Sequence, residues 1–210
     1  MTPSRPAWLR WAERLQAIAQ TGLTYAKEPY DLERYGELRR LAVEIAAAGL
    51  DAPVEDVRVA LATATGYPTP KVDVRAVVFR RDELLLVRER RSARWTFPGG
   101  WADVGDTPSR AAERETLEES GYRVKAAKLL ALLDKARHEH PPSLDYTYKV
   151  LILCRFEGGE PATSHEIDDV GFFDRAATSS LDLDLDRTTP GQIRLAWAHY
   201  DDATRPTDFD

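Results

Sequence analysis

The sequence predicts an α/β fold preceded by a separate helical unit, and three observations lead to this class. Apolar runs with strand character, beginning with Lys71–Arg80, lie on both sides of a segment with clear helix signals at 107–121. A further helix is predicted after the last strand. The first 66 residues, by contrast, carry only helical patterns, so strands and helices share one domain and the N-terminal part forms another.

The N-terminal part contains three predicted helices, over residues 7–21 up to Gly22, from about Asp31 to Gly49, and over residues 54–64. Trp8, Trp11 and Leu15 recur at helical spacing on the first of them. A unit of this size buries little core alone, so its tryptophans are expected to pack within the unit, on the second domain or on another subunit. We predict a homodimer formed through these helices.

The stretch GYPTP at 66–70 interrupts the helical pattern and indicates a linker. We therefore predict a helical extension over residues 1–66 and a second domain over residues 67–210.

The second domain alternates strand and helix signals. Strands are predicted at 71–80, 83–90, 122–125, 128–133, 146–156 and 170–173. Arg81-Asp82 is expected to form the turn of a hairpin, and Gly158-Gly159 another turn. The last helix is predicted over Gly191–His199 after the cap Thr189-Pro190, and the tail from Asp201 is expected to be loose.

The composition limits the classes of function. A net charge of −6 argues against broad binding to nucleic acid, whose backbone is itself negative. No apolar run approaches the roughly 18 residues of a membrane helix, and the first ten residues lack the apolar core of a signal peptide. We therefore expect a cytoplasmic protein without a membrane segment. The single cysteine, Cys154, lies in an apolar run and is expected to be buried and inert.

The predicted central helix carries a cluster of carboxylates. Thr107 is a suitable N-cap before Pro108, and Gly121 suits the left-handed residue that ends a helix. Glu115, Glu118 and Glu119 then fall within an arc of about 100°. These three charges repel one another. They form either a solvated acidic face or an all-oxygen site for Mg²⁺ or Mn²⁺.

The surrounding stretch resembles the Nudix box, the signature motif of the Nudix hydrolases. The matching positions are Gly100, Arg114, Glu115, Glu118, Glu119, Gly121 and Tyr122, with Trp95, Phe97, Pro98 and Gly99 as lead-in. Two positions depart from the motif: Asp106 replaces the first glutamate, and Thr116 replaces an apolar residue. The resemblance implies a Nudix α/β/α sandwich on a mixed sheet and an enzyme that hydrolyses phosphoric anhydride bonds with a divalent metal.

The N-terminal helices resemble an extension found on a bacterial subgroup of nucleoside diphosphate-X hydrolases, with ADP-ribose and CDP-choline as the usual substrates. The resemblance implies cleavage to a nucleoside monophosphate and phospho-X. Two alternatives stay open: hydrolysis of nucleoside triphosphates or RNA ends, and a nucleotide-sensing Nudix module without catalysis. Because all three glutamates are retained, the sequence favours an enzyme.

The family pattern assigns roles to the box residues. Glu118 and Glu119 are expected to hold metal, and Glu115 to share ligation with proton acceptance. The Gly100 carbonyl is a further candidate ligand. We expect Arg114 to brace the loop through Asp106. The structural candidates are Gly99 for the tight turn and Gly121 for the helix end.

Outside the box, six residues are candidates for substrate binding. Arg88, Arg90 and Arg94 could hold phosphate, although a solvated strand edge is the simpler explanation for each. Trp101 and Tyr148 could stack on a base or simply pack. The sixth candidate, Glu166, could supply a remote base or ligand.

Overall fold

The computed structural model describes residues 6–62 and 65–210. The chain forms two compact units. One contains the described residues before Lys71 together with Pro142–Tyr146, and the other contains Lys71–Pro141 and Thr147–Asp210. None of the helices among the described residues combines the length and the apolar composition of a membrane-spanning segment.

The first unit consists of three helices, α1 (Ala7–Tyr25), α2 (Pro29–Leu50) and α3 (Val54–Ala62). The prediction that Gly22 ends α1 is wrong. Gly22 lies inside the helix, where a Cβ atom would overlap the ring of Tyr35, so its small size serves helix packing. The helix α2 begins before Asp31 because Pro29 suits the first helical turn. Residues 63–64 of the predicted third helix lie outside the described residues.

The core of this unit is small. It contains Ala12, Val43, Ala46, Ala47 and Val57. On α1 the buried face passes through Leu9 and Ala12, whereas Trp11 is 57% exposed. Trp8 packs against Gly49 of α2. The two tryptophans therefore differ in environment, and the predicted apolar face of α1 is only partly buried within the unit.

The second unit contains an eight-stranded mixed sheet. Its strands are β1 (Lys71–Arg80), β2 (Glu83–Glu89), β3 (Trp95–Thr96), β4 (Gly99–Trp101), β5 (Tyr122–Asp134), β6 (Thr147–Gly159), β7 (Ile167–Phe173) and β8 (Asp208–Phe209). The order is β3-β2-β1-β6-β5-β8, while β4 pairs with β1 and β7 with β2. The pairs β1–β6 and β5–β8 are parallel, and the other pairs are antiparallel.

Helices cover both faces of the sheet. The helices are α4 (Pro108–Ser120), the short α5 (Arg175–Thr178) and α6 (Pro190–Asp201), with a 3₁₀ turn at Lys135–Arg137. Val74 and Ala76 of β1 pack with Ala111 of α4 on one face. Val77, two residues beyond Arg75, packs with Trp197 of α6 on the other. The predicted α/β/α sandwich is thus confirmed.

Three local predictions were wrong. The two strands predicted at 122–133 form the single strand β5, whose bulges shift its register on β6 near Ala126 and interrupt the apolar alternation. Gly158 and Gly159 have positive φ angles but remain paired at the end of β6. The tail is held because β8 pairs with β5 and Lys128 Nζ donates to the carbonyls of Ala203 and Arg205.

Cys154 is buried in β6, as expected from its apolar neighbours. Burial raises the pKa of its thiol to about 12, which keeps the sulfur protonated and inert at neutral pH.

Candidate active site

The candidate site lies at the crossing between β3 and β4, where the chain stops pairing with β2 and begins to pair with β1. The strand β3 pairs with β2, and β4 pairs with β1, so Phe97 and Pro98 connect two different ladders. The Pro98 carbonyl accepts from Ala76 N at 2.9 Å, and Phe97 N donates to the Thr188 hydroxyl at 3.1 Å. The N–H of Gly99 donates to Glu119 Oε2 at 2.8 Å, which joins the crossing to α4.

Gly99 and Gly100 allow α4 to approach this crossing. Gly99 has a φ of 139°, and a Cβ atom there would overlap the Val74 carbonyl of β1. A Cβ on Gly100 would lie 3.3 Å from Glu115 Oε1. The predicted tight turn is therefore present, and the Gly100 backbone lies beside a carboxylate of α4.

The ends of α4 agree with the predicted helix signals. The Thr107 side chain accepts from Arg110 N at 3.2 Å, Pro108 is the first residue, and Gly121 is left-handed with a φ of 74°. Thr116, one of the two departures from the motif, is fully buried. Its hydroxyl donates to the Ala112 carbonyl at 2.7 Å, so the polar group is satisfied inside the core.

The three glutamates differ in environment. Glu119 is only 6% exposed, and burial raises the pKa of its carboxyl to about 7 although the charge of Arg75 opposes the shift. Burial also raises the pKa of Glu115, with Arg114 opposing it. Glu118 is the most exposed of the three side chains. The carboxylates of Glu119 and Glu115 are thus costly to ionise without a nearby cation.

Arg114 gathers the acidic groups around the loop before α4. Its Nε donates to Asp106 Oδ2 at 3.2 Å, the contact predicted from the motif. Its Nη1 lies 2.9 Å from Glu115 Oε1 and 3.1 Å from Glu118 Oε2. One guanidinium therefore contacts both the loop and the glutamates, whereas the sequence predicted only the contact with the loop.

The donor set fits a hard divalent cation. Carboxylates and a carbonyl supply only oxygen, the ligand type that Mg²⁺ and Mn²⁺ prefer. Within residues 6–62 and 65–210, no three acidic, histidine or cysteine side chains converge on one point in the present rotamers. Glu115 and Glu118 turn toward Arg114, while Glu119 Oε2 accepts from Gly99 N. Binding would require Glu115 and Glu118 to release Arg114.

A buried charge network behind the crossing was missed from the sequence. Arg75 donates to both Asp73 oxygens, at 2.7 and 3.0 Å, and to the Phe97 carbonyl at 3.1 Å. Lys149 of β6 donates to Asp73 at 3.1 Å and to the Arg187 carbonyl at 2.6 Å. Charged residues at alternate positions of a predicted buried strand were the available signal.

Glu89, a second buried group, was also missed. Its Oε1 lies 2.7 Å from Arg187 Nη1, outside hydrogen-bonding geometry. Burial raises the pKa of Glu89, and the charges of Asp184 and Glu166 add to the effect. The candidate Glu166 therefore lies within electrostatic reach of this carboxylate, and its own carboxylate pairs with His165 at 3.3 Å.

The three candidate arginines already have partners, in the strand β7 and in loops beside β2. Arg88 pairs with Asp168 at 2.8 Å, and Arg94 pairs with Asp182 at 3.3 Å. Arg90 donates to the carbonyls of Ser164 and Ile167. Each would have to leave or share these partners to hold a phosphate.

The candidate aromatic residues lie on different faces of the sheet. Trp101 is 46% exposed and pairs with Asp73, whereas Tyr148 is 40% exposed and pairs with Val72. Because neighbouring residues of a strand point to opposite faces, the two rings cannot stack on the same base.

Comparison with known proteins gives the family. Residues 69–194 match the NUDIX domain, and residues 6–61 match a domain described as UDP-X-like, N-terminal oligomerisation domain. The Bacillus subtilis protein YjhB, provisionally named an ADP-ribose pyrophosphatase, is 38% identical over 203 residues, 97% of each chain.

Two solved structures support this relationship. An ADP-ribose pyrophosphatase of Streptococcus suis is 36% identical, with a TM-score of 0.61 over 68% of this chain and all of its own. A structure of a UDP-X diphosphatase is 32% identical, with a TM-score of 0.63 over the full length of both chains. The chain belongs to the Nudix family. It is a hydrolase that acts on pyrophosphate bonds.

Proposed function

We propose that the protein uses Mg²⁺ or Mn²⁺ to hydrolyse a nucleoside diphosphate linked to a moiety X, giving a nucleoside monophosphate and phospho-X. The observation that carries the metal dependence is Glu119, a buried carboxylate of the Nudix helix tied to the Gly99 turn. The substrate class is supported by full-length similarity to proteins named for ADP-ribose and UDP-X. ADP-ribose and CDP-choline are the first compounds to test.

The chain's own groups account for metal and proton positions. Glu118 and Glu119 would hold the metal with the Gly100 carbonyl, and Glu115 would accept a proton from the attacking water. A bound divalent cation neutralises phosphate oxygens and lowers the pKa of water. Arg114 balances the carboxylates before binding and stays near the site through Asp106.

Substrate recognition needs local positive charge because the protein is acidic overall. Arg88, Arg90 and Arg94 remain the candidates for the phosphates, each with an existing partner to exchange. Trp101 directly follows Gly100 in the chain but shares the face of Asp73, whereas Tyr148 shares the face of Val72 and Val74 that α4 covers. Tyr148 is therefore the preferred platform for a base, with Trp101 as the alternative on the other face. Glu166 is the candidate remote base or ligand.

A substrate panel tests this proposal. Purified protein with Mg²⁺ or Mn²⁺ would be offered ADP-ribose, CDP-choline, a UDP-sugar, nucleoside triphosphates and a short triphosphorylated RNA, with products separated by anion exchange. We expect a nucleoside monophosphate and phospho-X from a diphosphate-X compound. Preferred cleavage of triphosphates or RNA ends would support the competing enzyme class, and binding without turnover would support a sensing module.

We propose that the N-terminal unit forms a homodimer. Trp11, Ile18 and Leu41 are exposed on its first two helices, and apolar surface of this kind suits an interface core. We expect light scattering to report a dimer for the intact chain and a monomer for a chain starting near Pro68. An intact protein that is monomeric at micromolar concentration would refute the proposal. The cytoplasmic location stays a prediction.

Replacing Asp106 by asparagine should lower catalytic activity less than replacing Glu119 by glutamine does. Asp106 braces Arg114 and lies just before the helix start, where negative charge favours the helix dipole. We expect Asp106→Asn to lower thermal stability while Mg²⁺ still binds in a calorimetric titration. Complete loss of Mg²⁺ binding in Asp106→Asn would mean that Asp106 is itself a ligand.

A further inference from the structure

We propose that Arg75 is a positioning residue that sets the Phe97–Gly100 turn and thereby the geometry of the metal ligands. The inference rests on the proposed metal site but uses groups that lie behind it. Arg75 is 3% exposed, so its cation is not placed to meet a substrate from solvent. Its contacts instead go to one carboxylate and one carbonyl.

The turn has backbone groups that neither strand ladder can satisfy, because the chain changes partner strands there. Arg75 donates to the Phe97 carbonyl, which also accepts from the Thr96 hydroxyl at 3.2 Å, and Glu119 satisfies the Gly99 N–H two residues later. A buried peptide group without a partner would be costly, so both contacts restrain the turn.

The two restraints come from opposite sides of the sheet. Arg75 shares the face of β1 with Val77, which packs toward α6. Glu119 belongs to α4, which covers the face with Val74 and Ala76. In the register of β1 and β4, Arg75 is directly opposite Gly99. The turn is therefore held between a cation behind it and a carboxylate in front of it.

Asp73 fixes the guanidinium in one orientation. Asp73 accepts two hydrogen bonds from the Arg75 guanidinium, which donates a third to the Phe97 carbonyl. A lysine ammonium cannot reproduce this planar arrangement of donors. Loss of Arg75 would leave the Phe97 carbonyl with the Thr96 hydroxyl as its remaining donor, remove the restraint from β1, shift Gly99 and let Glu119 move from its ligand position. Positioning groups behind metal ligands change metal affinity or activity by about 10- to 100-fold.

Arg75→Gln should still fold, because Asp73 keeps Lys149 as a partner of opposite charge. Arg75→Lys is a second variant that retains the buried positive charge. A matched control is Arg205→Gln, which removes another two-bond arginine–aspartate pair, with Asp208 at 3.0 and 2.8 Å. That pair lies beside β8 at the far edge of the sheet from β1.

The test combines two measurements on the full-length protein. In metal-free protein labelled with ¹⁵N-glycine, we expect the Gly99 amide to exchange about tenfold or more faster in Arg75→Gln and Arg75→Lys. By calorimetry we expect Mg²⁺ to bind about tenfold or more weakly in both. The control should change each quantity less than about twofold.

The outcomes separate this inference from the proposed function. If wild-type protein binds neither Mg²⁺ nor Mn²⁺, the metal proposal fails while the amide measurement still tests the positioning role. An unchanged Gly99 amide in both Arg75 variants overturns the inference, even if metal affinity falls. Equal changes in Arg205→Gln would also overturn it, because the effect would then be general destabilisation.

Discussion

Glu119→Gln is expected to lower turnover by about a hundredfold or more while the protein stays folded. The carboxylate is buried at the turn, and its loss removes both a negative oxygen for the metal and the charge-assisted acceptor for Gly99. A metal ion contributes several kcal/mol of transition-state stabilisation, and each 1.4 kcal/mol is roughly tenfold in rate. Initial rates at saturating Mg²⁺ measure the effect.

Glu113→Gln is the matched control, because it changes a glutamate of the same helix that faces elsewhere. Glu113 pairs with Lys125 at 3.0 Å and accepts from Ala126 N on β5. We expect its turnover to stay within a few-fold of wild type. Wild-type turnover in Glu119→Gln would contradict the assignment of this residue.

Gly99→Ala should cause the second large effect, a loss of both stability and activity. The methyl group would overlap the Val74 carbonyl, which belongs to a central strand and cannot move freely. Backbone strain alone costs about 1–3 kcal/mol, and the overlap adds to it. Thermal unfolding should therefore occur at least about 5 °C lower.

Gly105→Ala separates the effect of backbone strain from the effect of atomic overlap. Gly105 also has a positive φ angle, 98°, but an added Cβ would meet nothing within 4 Å. It bears backbone strain without overlap, so a smaller shift in melting temperature is expected. If both variants melted at the same temperature, close approach of Gly99 to β1 would not be what requires glycine.

Local signals predicted the parts of the fold whose cause is local. The caps Thr107 and Gly121 give the bounds of α4, and the spacing of Glu115, Glu118 and Glu119 follows from helix geometry alone. The tail was missed because its order depends on contacts remote in sequence, such as Lys128 with the carbonyl of Arg205. Periodicity within a segment carries no information on such contacts.

The same distinction applies to the site. The family motif identified the glutamates of α4 but contains no position in β1, so it could not include Asp73 or Arg75. Their importance arises from the register of β1 with β4, which places Arg75 opposite Gly99. Similarly, Trp101 and Tyr148 were equivalent candidates until strand pairing assigned them to different faces.

The central claim is that the carboxylates of α4 bind the metal that hydrolysis requires. Titration of Mn²⁺ followed by electron paramagnetic resonance measures this directly, because protein-bound Mn²⁺ loses the sharp signal of the free ion. We predict bound Mn²⁺ in wild type and Glu113→Gln, and binding at least about tenfold weaker in Glu119→Gln. Equal Mn²⁺ affinity in wild type and Glu119→Gln would contradict the account.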